Sequence, residues 1–270
     1  MKKIVYAFAL LAGCFLASCS GDDNNNPGTG NAANYLPEAN GNYWVYNTTL
    51  DGTSSGRDSL YVKGDTTITA VAYKKFKTKD VATGFFCGAL SNNGVRTSGS
   101  KLLVTGSASL AFSADLPLNV SITDFPFLDA AAAAGTQVGT TSGTISQDSG
   151  SGYTIVADYT LKSIADQSLT TFTAPNNVTY SNVKVMKMVL NLKITANVEL
   201  GNGTIIPISI MNAQDVLTST QYYAENIGNV YTNTVINYQL SDFSSLGADL
   251  PIPQTGSYTQ TEVLVNHNVN

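Results

Sequence analysis

The sequence predicts an all-β domain, a curved antiparallel sheet of half-barrel or sandwich-like form with one or two short helices. Three observations carry this. Thr, Val, Ile and Tyr dominate beyond residue 35, apolar and polar residues alternate along several stretches, and helix signals are few. The longest alternation is Met186, Met188, Leu190, Leu192, Ile194, Ala196, Val198 and Leu200, set against Lys187, Asn191, Lys193, Thr195, Asn197 and Glu199. It outruns the usual strand of about 5–6 residues, so it must coil, bulge or wrap around something. An apolar face of that length has to be covered, by core or by a guest. Met186, Met188, Leu190, Leu192 and Ile194 are therefore candidate ligand-lining residues for a hydrophobic molecule. The two thioethers suit an irregular guest as well as an irregular core.

The elements follow in chain order. Residues 1–18 open on Lys2 and Lys3 and continue uncharged from Ile4 to Leu16, as a secretory leader does. That run is too short for a membrane span of about 20 residues. Leu16-Ala17-Ser18-Cys19 resembles the lipobox of bacterial lipoproteins. The resemblance implies cleavage before Cys19, a thioether-linked lipid on Cys19, palmitate among its acyl chains, and a membrane partner reached through that lipid. Two or more acyl chains anchor stably where one does not. Residues 19–34 are poor in apolar residues and rich in Gly and Asn, a tether that cannot bury enough surface to order itself. Within it, Asp22 and Asp23 resemble the acidic export signal of Bacteroidota lipoproteins, which implies an outer-membrane, cell-surface location.

Removing the leader from 270 residues leaves 252, treated as one β-rich domain over 35–270 after the tether. Lys2 and Lys3 leave with it, so 12 of the 14 basic residues face 19 acidic ones. No basic stripe exists, which argues against nucleic acid as a partner. After Cys19 the sole cysteine is Cys87, so the fold relies on its core rather than on disulfides.

Within the domain, Asp51 to Val62 reads as a hairpin loop, lacking the carboxylates of a calcium loop. Lys74, Lys75, Lys77 and Lys79 around Phe76 read as guards of an edge strand. Leu116, Leu118, Val120 and Ile122 alternate as a strand. "DFPFLDAAAAAG", 124–135, is the best helix signal, with Asp124 as N-cap, Pro126 in the first turn and Gly135 as stop. Tyr153, Ile155, Ala157, Tyr159 and Leu161 alternate again, and Gly201-Asn202-Gly203 turns the long strand into Ile206, Ile208 and Ile210.

The segments "YLPEANGNYWVYN", "TYSNVKVMKMVLNL", "IPISIMNAQDV" and "STQYYAENIGNVYTNTV" resemble a TapB-like group of Bacteroidota envelope lipoproteins. That resemblance spans most of residues 35–240. It implies a half-barrel similar to acyl-binding lipoprotein carriers and assigns no activity. Residues 98–152 depart from the group's pattern and read as an insertion.

Catalytic constellations are missing from the sequence. His267 is the only histidine and sits four residues from the end, where chains fray, which removes His-based triads and His-rich metal sites. Ser98-Gly99-Ser100-Lys101 lacks the partner motifs of a serine–lysine site. Glu38, Glu199, Glu225 and Glu262 are scattered, so spacing supports no carboxylate pair. Asp58-Ser59-Leu60 and Asp65-Thr66-Thr67 resemble Bacteroidota O-glycosylation tripeptides. The expectation is a non-enzymatic, lipid-anchored envelope protein, without cofactor or metal, that binds a hydrophobic molecule or an envelope protein. A structural or adhesive surface module with a filled core is the rival.

Overall fold

The computed structural model describes residues 31–113, 116–148, 153–200, 203–242 and 253–270, excepting the side chains of 33–34 and 108–119. Cys19, Asp22 and Asp23 lie outside the described residues. The strands are β1 (Tyr43–Leu50), β2 (Thr53–Ile68), β3 (Val71–Thr78), β4 (Gly94–Ser98), β5 (Lys101–Ser113) and β6 (Leu116–Asp129). There follow β7 (Gln137–Asp148), β8 (Tyr153–Thr173), β9 (Thr179–Glu199), β10 (Ile205–Ala224), β11 (Gly228–Gln239) and β12 (Thr255–Asn268). Among the described residues a short 3-10 helix spans Ala32–Tyr35, and α1 (Phe85–Leu90) sits between β3 and β4.

All 12 strands form one antiparallel sheet, nearly closed into a barrel. Each strand pairs with its neighbours in sequence, and β12 pairs with β1, from Tyr43 opposite Asn268 to Leu50 opposite Gln260. The one break in this circle falls between β6 and β7. Even there the walls touch. The Ser163 hydroxyl of β8 donates to the Pro126 carbonyl of β6. A side chain at Gly139 of β7 would meet that carbonyl at 2.6 Å and the Ser163 hydroxyl at 2.8 Å, so only hydrogen fits.

The alternation in sequence becomes inside and outside. On β9, Met186, Met188, Leu190, Leu192, Ile194 and Ala196 are buried, and on β8 so are Ala157, Leu161 and Ala165. Asp158 and Lys193 point to solvent. Apolar-in, polar-out is the inverse of a membrane-spanning barrel. The apolar face fades at its far end, where Leu200 is 42% exposed. β9 does run 21 residues, and it coils by register shifts against β10 at Ser209/Met211, Met211/Gln214 and Asp215/Leu217. The hairpin turn is confined to Asp51-Gly52, with φ of 48° and 76° as a two-residue turn of the primed type requires, and Thr53 to Val62, expected as part of the loop, belong to β2. At the other end of the sequence, His267 is an exposed residue of β12 paired with Trp44, not a frayed tail.

The helix expected over 124–135 is not there. β6 continues through Asp129, and Phe125 and Phe127 are both buried with strand periodicity. Asp124 has φ 46° and accepts two bonds from the Arg96 guanidinium of β4, so it caps nothing. Pro126 is tolerated because β6 lines the break in the sheet, where a ladder donor is dispensable. The alanines at 130–134 are a connecting loop, fixed at Gly135, whose N–H donates to the Ala165 carbonyl at 2.7 Å. Residues 98–152, expected as an insertion, supply β5, β6 and β7 and so part of the barrel wall itself. β3 is not an edge strand either, although its ladder to β4 holds only Lys74 with Val95 and Lys75 with Gly94. Of its lysines, Lys74 pairs with Asp65 at 2.5 Å, and Lys75 donates to the Asn92 carbonyl.

Candidate functional site

The barrel interior is occupied by α1, whose sequence FFCGAL is too short for helical periodicity to register. Phe86, Cys87 and Leu90 are buried, whereas Gly88 is exposed. Phe86 meets Tyr46 and Tyr223 edge-on, with ring centroids 5.9 and 6.0 Å apart. Gly84, ahead of the helix, offers no capping side chain. The orphan N–H groups of such a first turn need acceptors from elsewhere.

Two strands, β2 and β12, supply them. On β2 the inward register reads Asp58, Leu60, Val62, and on β12 it reads Glu262, Leu264, all buried. Asp58 pairs in register with Tyr46, and Glu262 with Thr48, so β1 holds the two acids side by side. Asp58 accepts from the Thr83 N–H at 2.9 Å, the Thr83 hydroxyl at 3.0 Å and the Gly84 N–H at 2.7 Å. Glu262 accepts from the N–H groups of Phe86 at 2.7 Å and Cys87 at 3.0 Å. Gln260 accepts from the Phe85 N–H at 2.7 Å.

The opposite end of α1 is tied by a neutral group. The buried Asn93 amide donates to the Ala89 carbonyl at 2.7 Å and the Ser107 carbonyl of β5 at 2.9 Å.

Glu262 is fully buried, and burial raises its carboxyl to about 7, with the neighbouring Asp58 charge pushing the same way. The two N–H bonds and the Cys87 thiol oppose the rise without cancelling it. Burial also pushes Cys87, Tyr46 and Tyr223 well up, each with Glu262 adding to the effect. Asp58, Cys87 and Glu262 bring one donor atom each within 4.8 Å of one another. Cys87 belongs to α1 and the carboxylate oxygens already accept the hydrogens of the helix start, so the cluster acts as a clamp on the helix. As a carboxylate pair they face backbone donors, and neither lines the cleft beneath the helix.

That cleft separates the free side of α1 from the far wall. Phe85, Ala89 and Leu90 form one side, and Phe125 and Phe127 of β6, Leu161 of β8 and Met188 of β9 form the other. It encloses about 40 Å³. Its polar margin is Gln221 and Tyr223, bonded to each other at 2.5 Å, hydroxyl to amide oxygen. Of the five residues proposed to line a ligand site, Met188 borders this space. Met186, Leu190, Leu192 and Ile194 are buried in the surrounding core and do not line it.

Sequence reasoning missed α1 and its clamp. The signal was available: Asp58 and Glu262 each occupy the apolar register of a strand, where an acid needs a partner. Asp58 also opens one of the two tripeptides that resemble glycosylation sites, and its carboxylate is engaged internally. No protein-family model, curated protein or solved structure matches the chain.

Proposed function

We propose that this chain is a lipid-anchored envelope protein, tethered to the outer membrane through Cys19, whose barrel binds a small apolar group without catalysis. The observation that carries the reading is the cleft. Phe85, Phe125, Phe127, Leu161 and Met188 leave a space with an almost wholly apolar lining. Ligand pockets usually measure about 300–1,000 Å³, so with α1 seated the space admits only about a methyl or ethyl group, and a larger guest needs the helix or a wall to move. At its margin the Tyr223 hydroxyl and the Gln221 amide are already bonded to each other, and the amide to Ser219, so the cleft suits a wholly apolar group.

The rival, a structural or adhesive module, draws on a different observation. Met186, Leu190, Leu192 and Ile194 all pack as ordinary core. The two separate on titration with the neutral dye N-phenyl-naphthylamine, followed by displacement with medium-chain fatty acids. Saturable binding that is abolished by Ala89→Trp, which fills the cleft from the helix side, supports the carrier. Dye binding that is absent, or equal in Ala89→Trp, leaves the surface module.

A further inference from the structure

The two ends of α1 are held by different chemistry. The C-terminal end hangs on the Asn93 amide, which has no charge to change. The N-terminal end rests on Asp58 and Glu262, two acids that share one buried site. The groups facing Glu262 are Asp58 from β2, Cys87 from α1, Tyr46 from β1 and Tyr223 from β10, and Tyr180 of β9 acts on Tyr46. None of these is a cation, and among the described residues the ion pairs lie elsewhere, at Lys74–Asp65, Arg96–Asp124 and Lys187–Asp166. Ahead of the helix the chain is exposed at Val81, 92%, and is tied from Thr83 onward by Asp58.

We propose that α1 is a proton-controlled latch on the apolar cleft: a neutral Glu262 keeps the helix seated, and its ionisation releases the N-terminal end, which swings about Asn93. The direction follows from which effect is larger. An ionised carboxylate accepts N–H bonds more strongly than a neutral acid. Against that stands the loss of hydration of a charge with no countercharge, beside a second carboxyl group, which costs more. Opening hydrates Glu262 and returns it toward an ordinary carboxylate, so the open state binds the proton less tightly. Raising the pH through neutrality then favours opening. A cleft too small for a whole acyl chain gains, by this movement, a way to enlarge. That last step rests on the cleft being the binding site, whereas the latch itself does not.

Hydrogen exchange on the full-length protein reads the latch directly. After correction for intrinsic rates, protection of the Phe86 and Cys87 amides falls by roughly tenfold or more between pH 5 and pH 8. Those amides exchange faster than Leu190 and Leu192 of β9 throughout. Glu262→Gln removes the pH dependence. A flat profile in the wild type overturns the latch. So does exchange of α1 no faster than that of β9, which would mean that the helix leaves only by global unfolding. These wild-type outcomes decide the matter even if the variant does not fold. Dye binding, followed in parallel, increases over the same pH interval. A latch that moves without any dye binding overturns the cleft as a ligand site and leaves the latch intact. Dye that binds with the same affinity at every pH, over a flat exchange profile, does the reverse.

Discussion

Arg96 of β4 grips Asp124 of β6 across the intervening strand β5, its Nε and Nη2 donating to the two carboxylate oxygens at 2.8 and 2.7 Å. The Tyr73 hydroxyl of β3 adds a third bond to the same carboxylate at 2.8 Å, so one acid ties three strands. The Asp124 carboxyl is held below the usual range, first by the Arg96 hydrogen bond, then by Tyr73 and the Arg96 charge. Its contribution is present above pH 4 or so and is lost as the pH falls further. Both side chains are about one-third exposed, so solvent screening keeps the pair modest. Asp124→Asn is expected to cost about 1 kcal/mol by urea unfolding at pH 7, and less near pH 3. An equal cost at both pH values would show that the backbone at φ 46°, not the charge, sets the effect.

Glu262 works with the opposite sign. Its native carboxyl titrates at about 7 against 4.5 in the unfolded chain, so the native state keeps a proton that the unfolded state gives up. Global stability should therefore decline as pH rises from about 4.5 and level off above 7. The decline is on the order of 3 kcal/mol at most. Denaturant midpoints measured at closely spaced pH values check this, and Glu262→Gln should flatten the slope in that window.

A methyl group at Gly84 would fall inside van der Waals contact with the Glu262 carboxyl group. The Gly84 N–H is at the same time committed to Asp58. Gly84→Ala should consequently unseat the start of α1 and cost about 1–3 kcal/mol. Rapid alkylation of Cys87, located by peptide mapping, is the accompanying readout, because that thiol is buried in the native state. Unchanged alkylation would mean that the neighbourhood yields without moving the helix.

The proposed lipid anchor at Cys19 makes its own prediction. Cys19→Ala should leave a precursor that incorporates no labelled palmitate. Replacing Asp22 and Asp23 with alanine should keep the lipid but remove protease accessibility on intact cells. Surface digestion that survives the double change would reduce the pair to a spacer.

The strands were legible wherever one face meets water and the other the interior, because that contrast writes period two into the chain. β8 and β9 show it most plainly. The stretch 124–135 misled because local propensity and tertiary demand diverge there. Its alanines favour a helix, while Phe125 and Phe127 have burial only as a strand. The clamp on α1 stayed hidden for a different reason. Asp58 and Glu262 are brought together by the β1–β2 and β1–β12 ladders, and no local spacing encodes a contact between residues so far apart in the chain. An acid on an apolar register was visible; its partner was not.

The antiparallel ladder that joins β12 to β1 has a mechanical consequence. Tyr43, at the start of β1, lies opposite Asn268, at the end of β12. Tension applied between those two points pulls the strands apart like a zipper, loading one pair of hydrogen bonds at a time, whereas shear would load them all together. Tension on the segment before Tyr43 alone spreads through β1 into both of its neighbours, β2 and β12. Held only at that end, as by a membrane tether, the barrel resists drag with two ladders. Gripped at both ends, it would begin to peel at the rim of a single one.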